Sequence, residues 1–171
     1  MKWVNSGGGP LICAEEGIAV HWMGVHGLSV SPGVTRRNDY ERACGTQEYL
    51  EALPCDGGYV LALGDEPLQS SFFSGDSGEL AIVRWVYAQS PDVEKILKDV
   101  IGDTRELAPA ISFEVRQGPL VLFDSALRGA DVLARCPKAE VQPGSYYVAT
   151  EKRQLEKNFS FIVHWLRSPG N

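Results

Sequence analysis

No stretch of this 171-residue chain approaches the ~18 consecutive apolar residues that a membrane span requires. The opening residues, Met1-Lys2-Trp3-Val4-Asn5-Ser6-Gly7, hold no apolar core of a secretory signal, so a cytoplasmic protein without a membrane partner is expected. Cationic clusters are equally scarce. No run of Lys or Arg is longer than the pair Arg36-Arg37, and 16 basic against 22 acidic residues leave a net charge of −6. Binding to nucleic acid needs a basic patch, so nucleic acid is excluded as the main partner. The four cysteines, Cys13, Cys44, Cys55 and Cys136, contain no C-x-x-C pair, and no downstream histidine pattern completes a zinc site. They are expected as buried thiols, with no metal and no cofactor.

Glycine and proline are plentiful by contrast: 18 Gly and 10 Pro are spread along the chain. With 44% hydrophobic residues, that spread suits a buried core of many short strands joined by turns. Candidate strands are Leu11–Ala14, Ile18–Met23, Tyr59–Leu63, Leu80–Ala88, Ile111–Arg116, Leu120–Phe123, Tyr146–Thr150 and Phe159–Arg167. The alternation of Ile18, Val20 and Trp22 suits a sheet with one buried face. A helix is expected over about Pro91 to Ile101, capped by Ser90, with Val93, Ile96, Leu97, Val100 and Ile101 along one face. A second helical stretch is expected from about Asn38 to Leu53, broken near Gly45 and restarted with Thr46 as cap.

Three short blocks recur in order. Gly9-Pro10-Leu11-Ile12-Cys13-Ala14 echoes Gly118-Pro119-Leu120-Val121-Leu122-Phe123. Tyr59-Val60-Leu61-Ala62 echoes Tyr147-Val148-Ala149, and Ile82-Val83-Arg84-Trp85-Val86 echoes Ile162-Val163-His164-Trp165-Leu166. The interval from the first block to the second is 48 residues in one half and 27 in the other, an insertion of 21 that the Asn38–Leu53 stretch can supply. The fold class expected is mainly β with two or three helices (α+β), one domain over 1–171. Its two packed antiparallel sheets would come from repeated halves, 7–90 and 112–168, with Trp85 and Trp165 at equivalent places in the shared core.

Chemical motifs are few. Gly75-Asp76-Ser77-Gly78 spells the tetrapeptide around the nucleophile of chymotrypsin-like proteases. Only 76 residues precede Ser77, however, and Glu79-Leu80 follow it, so a polar turn between strands is the better reading. Gly7-Gly8-Gly9 lacks the Lys-Ser/Thr of a phosphate loop and precedes a strand. His21 is expected on a strand face and His26 in a loop, with no metal pattern around them. His164 is expected to be solvent-facing or hydrogen-bonded within its sheet. The acidic spots Glu15-Glu16, Asp39, Glu41, Asp65, Glu66, Asp76 and Glu79 admit three readings: acid–base pairs across a cleft, solvated loop residues, or an acidic surface for a basic protein. On the last reading, Asp39, Glu41, Asp65, Glu66, Asp76 and Glu79 are the partner-binding candidates.

A broader likeness joins these pieces. Trp3-Val4-Asn5-Ser6-Gly7-Gly8-Gly9-Pro10-Leu11-Ile12, Trp22-Met23-Gly24, Asp39-Tyr40-Glu41-Arg42-Ala43-Cys44, Gly64-Asp65-Glu66-Pro67-Leu68, Ile82-Val83-Arg84-Trp85-Val86-Tyr87 and Gly118-Pro119-Leu120-Val121-Leu122-Phe123-Asp124-Ser125 together resemble the immunity protein 21 family. That resemblance covers most of the chain in the right order. It implies a bacterial cytoplasmic protein encoded beside a polymorphic toxin, which it binds and neutralises, with no catalytic residues and no cofactor. The second half also resembles the competence protein that inhibits a DNA-uptake nuclease, another acidic inhibitor of a basic enzyme. The expected partner is a cognate toxin of nuclease or deaminase type. The alternative is a small-ligand-binding or enzymatic β-sandwich domain, with His21 and Glu15 or Glu16 converging in a cleft. Oligomeric state is left open.

Overall fold

The computed structural model describes residues 1–29, 36–64, 66–75, 78–88, 95–98, 111–155 and 159–169. Among these residues, ten strands form two five-stranded sheets, and every strand pair is antiparallel. The first sheet runs in the order β2 (Glu51–Cys55), β3 (Gly58–Leu63), β1 (Leu11–Glu15), β7 (Leu120–Asp124), β8 (Lys138–Ala139). The second runs β4 (Gln69–Ser74), β5 (Leu80–Ala88), β10 (Phe159–Arg167), β9 (Gly144–Leu155), β6 (Ile111–Val115). Short helices decorate them: α1 (Glu16–Ala19), α2 (Asp39–Cys44), α3 (the helical residues 95–98) and α4 (Gly129–Val132).

The apolar residues of this chain fill three layers. Between the sheets, Leu11, Cys13, Leu61, Leu63, Leu120 and Leu122 of the first sheet meet Ile82, Phe113, Val115, Val148 and Leu166 of the second. Outside the first sheet, Ile12, Ala14, Val60, Ala62, Val121 and Phe123 are covered by Ala19, Trp22 and Ala43. Outside the second, Phe73, Ala81, Val83, Phe161, Val163 and Trp165 are covered by Leu97 of α3 and by Trp3, whose ring lies 5.7 Å from that of Trp85. The central strands β1 and β7 are therefore buried on both faces, as is nearly all of β10. That is why β1 and β7 read as nearly continuous apolar runs and not as alternating ones. Trp85 and Trp165 share a cluster, but it is the outer layer of the second sheet and not the space between the sheets.

The recurring blocks fall in instructive places. The first pair, β1 and β7, are antiparallel neighbours, as are the third pair, β5 and β10. The middle pair lies in different sheets, in β3 and β9.

Two sequence expectations are corrected. Ile18–Met23 is not a strand: α1 covers Glu16–Ala19, and the chain then turns, with the amides of His21 and Trp22 donating to the carbonyls of Ile18 and Ala19. The helix expected to resume at Thr46 does not form. Glu51–Cys55 instead pairs with β3, and Leu53 and Cys55 alternate inward around Pro54, which suits an edge strand and forbids a helix interior. Of the helix expected over Pro91 to Ile101, residues 95–98 are helical and the remainder lies outside the described residues. Among the described residues, no helix is long and apolar enough to cross a membrane.

Candidate interaction surface

The four acidic candidates among the described residues, Asp39, Glu41, Glu66 and Glu79, have different surroundings. Asp39 is fully buried at the start of α2. Its Oδ2 accepts from the Met23 amide at 2.8 Å and its Oδ1 from Arg42 Nη1 at 2.7 Å. Both oxygens of this carboxylate are therefore engaged within the fold. Glu41 is exposed and closes a capping box on α2: its amide donates to Asn38 Oδ1 at 2.7 Å, and its Oε2 accepts from the Asn38 amide at 3.1 Å. Glu66 is exposed and borders a cleft of about 320 Å³ with Gly8, Gly9, Cys44, Thr46 and Gln47, and among the described residues no Lys or Arg lines that cleft. Glu79 is half-buried, 3.6 Å from Arg167 Nε, beside a second cleft of about 230 Å³. Glu66 precedes the six-residue β4 and Glu79 follows it, so the two mark opposite ends of that strand. Asp65 and Asp76 lie outside the described residues.

The residues of the alternative pocket part company in the same way. The buried Glu15 carboxylate accepts from the amides of Arg116 (3.0 Å) and Gln117 (2.5 Å), tying the end of β1 to the β6–β7 turn. Glu16 takes the Lys138 ammonium at 2.5 Å, while His21, in a turn and not on a strand, lies 3.6 Å from Asp56. Among the described residues, no three His, Cys, Asp or Glu side chains gather as a metal site. His164 takes the hydrogen-bonded alternative: fully buried, it shares a 2.8 Å hydrogen bond between its Nδ1 and Thr150 Oγ1. Burial, and then the neighbouring Arg84 guanidinium, push its pKa down to about 3, so the ring is neutral. Arg84 is buried too and donates to the carbonyls of Tyr49 (3.3 Å) and Glu66.

All four cysteines are free thiols. Cys13 and Cys55 are buried and Cys136 is half-buried; burial raises all three pKa values, that of Cys55 to about 11. Cys44 departs from expectation: it ends α2 at the rim of the larger cleft and is exposed. Gly75 and Gly78 close the β4–β5 turn through the hydrogen bond from the Gly78 amide to the Gly75 carbonyl, while Asp76 and Ser77 lie outside the described residues. In the glycine run, the Gly7 amide donates to Asp124 Oδ2 at 2.5 Å, which anchors the segment ahead of β1.

Sequence reasoning missed the most built-up part of the surface. On the outer face of the first sheet, the loop after α1 is docked onto the loop after β7. Trp22 Nε1 donates to the Ser125 carbonyl at 2.9 Å, the Gly129 amide to the Trp22 carbonyl at 2.9 Å, and the Val25 amide to the Ala126 carbonyl at 3.2 Å. Gly24 has φ +59°, and a Cβ there would stand 2.4 Å from the Ala126 carbonyl oxygen. A Cβ on Gly129 would stand 1.8 Å from the carbonyl oxygen of Ala19, so the two loops meet backbone to backbone. Asp39 and Arg42 lock the arrangement from α2: Arg42 Nη1 also donates to Ser29 Oγ at 3.0 Å, and the guanidinium lies 6.0 Å from the Trp22 ring centre. The only signal in the sequence was Val20, Val25 and Leu28 scattered among Gly and His, which alone specifies no surface.

The described residues thus form an antiparallel two-sheet β protein whose α1–α2 and β7–α4 loops are docked together on the outer face of the first sheet. The family model described as immunity protein 21 matches residues 2–158, and the chain belongs to that family. Membership gives it the role of an immunity protein. Comparison with curated proteins and with solved structures returned no match.

Proposed function

We propose that this chain protects the cell that makes it by binding one cognate toxin one to one, without chemistry of its own, and that the toxin is a basic enzyme of nuclease or deaminase type. Family membership over residues 2–158 is the observation that carries the reading. The net charge of −6 supports the choice of a basic toxin, because an acidic protein accelerates encounter with a cationic partner through its long-range field. Exposed Glu41 on α2 and exposed Glu66 at the larger cleft contribute to that field. Binding at an interface of standard size, about 1,600 Å² in total, supplies nanomolar affinity when a few anchors are fully desolvated.

Titration calorimetry of the purified chain against the toxin domain encoded beside it tests the proposal. The expected result is a one-to-one complex in the nanomolar range that weakens as salt is raised. Absence of binding at micromolar concentrations refutes the immunity reading. Tight binding that ignores salt refutes the electrostatic part alone.

A further inference from the structure

Each sheet ends in two edge strands, and an open edge invites pairing with another chain. Among the described residues, three of the four edges carry a guard of their own. β2 contains Glu51 and Pro54, and the Pro54 carbonyl is taken by Arg42. β8 is two residues long and begins with Lys138, while β6 carries the exposed Glu114. β4 differs: Gln69-Ser70-Ser71-Phe72-Phe73-Ser74 holds neither a charge nor a proline. Along this edge lies the segment Lys2–Val4. Val4 and Ser70 exchange both backbone hydrogen bonds at 2.9 Å, and the Lys2 carbonyl accepts from Ser71 Oγ at 2.8 Å. Val4 packs against the layer between the sheets and Trp3 against the outer layer, beside Trp85. The two side chains thus point to opposite faces, as on a strand, although the pairing is a single isolated bridge among the described residues.

We propose that Lys2–Val4 is a strap that guards the β4 edge, and that lifting it lets β4 pair with β4 of a second copy of this chain. β5 occupies one side of β4, so the side under the strap is where a new strand docks. The backbone groups of Ser70 show that direction, and strand alternation turns those of Phe72 and Ser74 the same way. A second copy is the occupant because its edge matches in length and carries no charge. Two such strands meet antiparallel without repulsion, and in the symmetric register Gln69 of one faces Ser74 of the other.

Sedimentation of the full chain from about 10 μM to about 1 mM tests the strap. The wild type is expected to keep the monomer mass across that range. Trp3→Ala removes the ring that seats the strap, and Val4→Pro removes the amide that donates to the Ser70 carbonyl. A thermal melt checks that each variant folds. Each is expected to pass from monomer to dimer as concentration rises, doubling its mass. Adding Gln69→Lys and Ser74→Lys, both at exposed positions, should return the variants to monomers, because lysines on an edge repel a second copy. Folded variants that keep the monomer mass would overturn the proposal, as would a dimer that survives the added lysines. If neither variant folds, the segment is part of the core and not a strap, which overturns it too. A wild type that already dimerises, and that the same lysines dissociate, would show an unguarded edge and equally refute the strap.

Discussion

Replacing His164 by Leu should remove a specific part of this protein's sensitivity to acid. The imidazole is fully buried on β10, with Nδ1 bonded to Thr150 and the Arg84 cation near, and its pKa falls from 6.5 to about 3. Its folded-state pKa is depressed, so below pH 6.5 the unfolded chain takes up a proton that the folded chain refuses. Stability therefore falls as pH drops from about 6.5 toward 3 and is unaffected above that window. At about 1.4 kcal/mol per unit, the ceiling is about 5 kcal/mol near pH 3, and the share already lost at pH 5 is about 2 kcal/mol. Urea unfolding at pH 7 and pH 5 reads this directly, since carboxylates with ordinary pKa values titrate mostly below that range. The wild type should lose about 2 kcal/mol more than His164→Leu between the two pH values. Equal losses would refute the claim that the ring is buried and neutral.

Other predictions address the docked loops and the charge. Asp39→Ala leaves Arg42 buried without its carboxylate and should cost about 3–5 kcal/mol of stability by urea unfolding; a loss under 1 kcal/mol would contradict the inward placement of Asp39. Gly129→Ala drives a methyl into the Ala19 carbonyl and should separate the two loops, read as faster amide exchange at Trp22 and Val25 and a lower melting temperature. Unchanged exchange would refute the backbone-to-backbone approach. Glu41→Gln combined with Glu66→Gln should slow association with a basic toxin by stopped flow at low salt and leave dissociation nearly unchanged. An altered dissociation rate with an unaltered association rate would place those residues in the contact itself.

The strands visible in the sequence were those whose burial on both faces writes a continuous apolar run, as in Leu120-Val121-Leu122-Phe123 and Phe161-Ile162-Val163. Edge strands were harder to see. β4 is Gln69-Ser70-Ser71-Phe72-Phe73-Ser74, with buried serines whose partners come from elsewhere: Ser71 Oγ donates to the Lys2 carbonyl at 2.8 Å, and Ser70 exchanges both backbone bonds with Val4. Ile18, Val20 and Trp22 mimic strand alternation, yet Trp22 alone of the three is fully buried, because a short helix and a turn produce the spacing. The surface was less legible still. Asp39 reads as a solvated residue in the first turn of a helix, and its burial depends on a loop 16 residues earlier returning its Met23 amide to it. The docked loops likewise lie about 100 residues apart, a pairing that no local pattern encodes.

The central claim is that neutralisation is stoichiometric binding and not chemistry performed on the toxin. Titrating the toxin's activity with this chain, followed by recovery and intact-mass measurement of the toxin after the complex is unfolded, tests it most directly. The account predicts that activity falls linearly to zero at one equivalent and that the recovered toxin is unmodified and active on refolding. Inactivation by far less than one equivalent, or a toxin of altered mass, would contradict it.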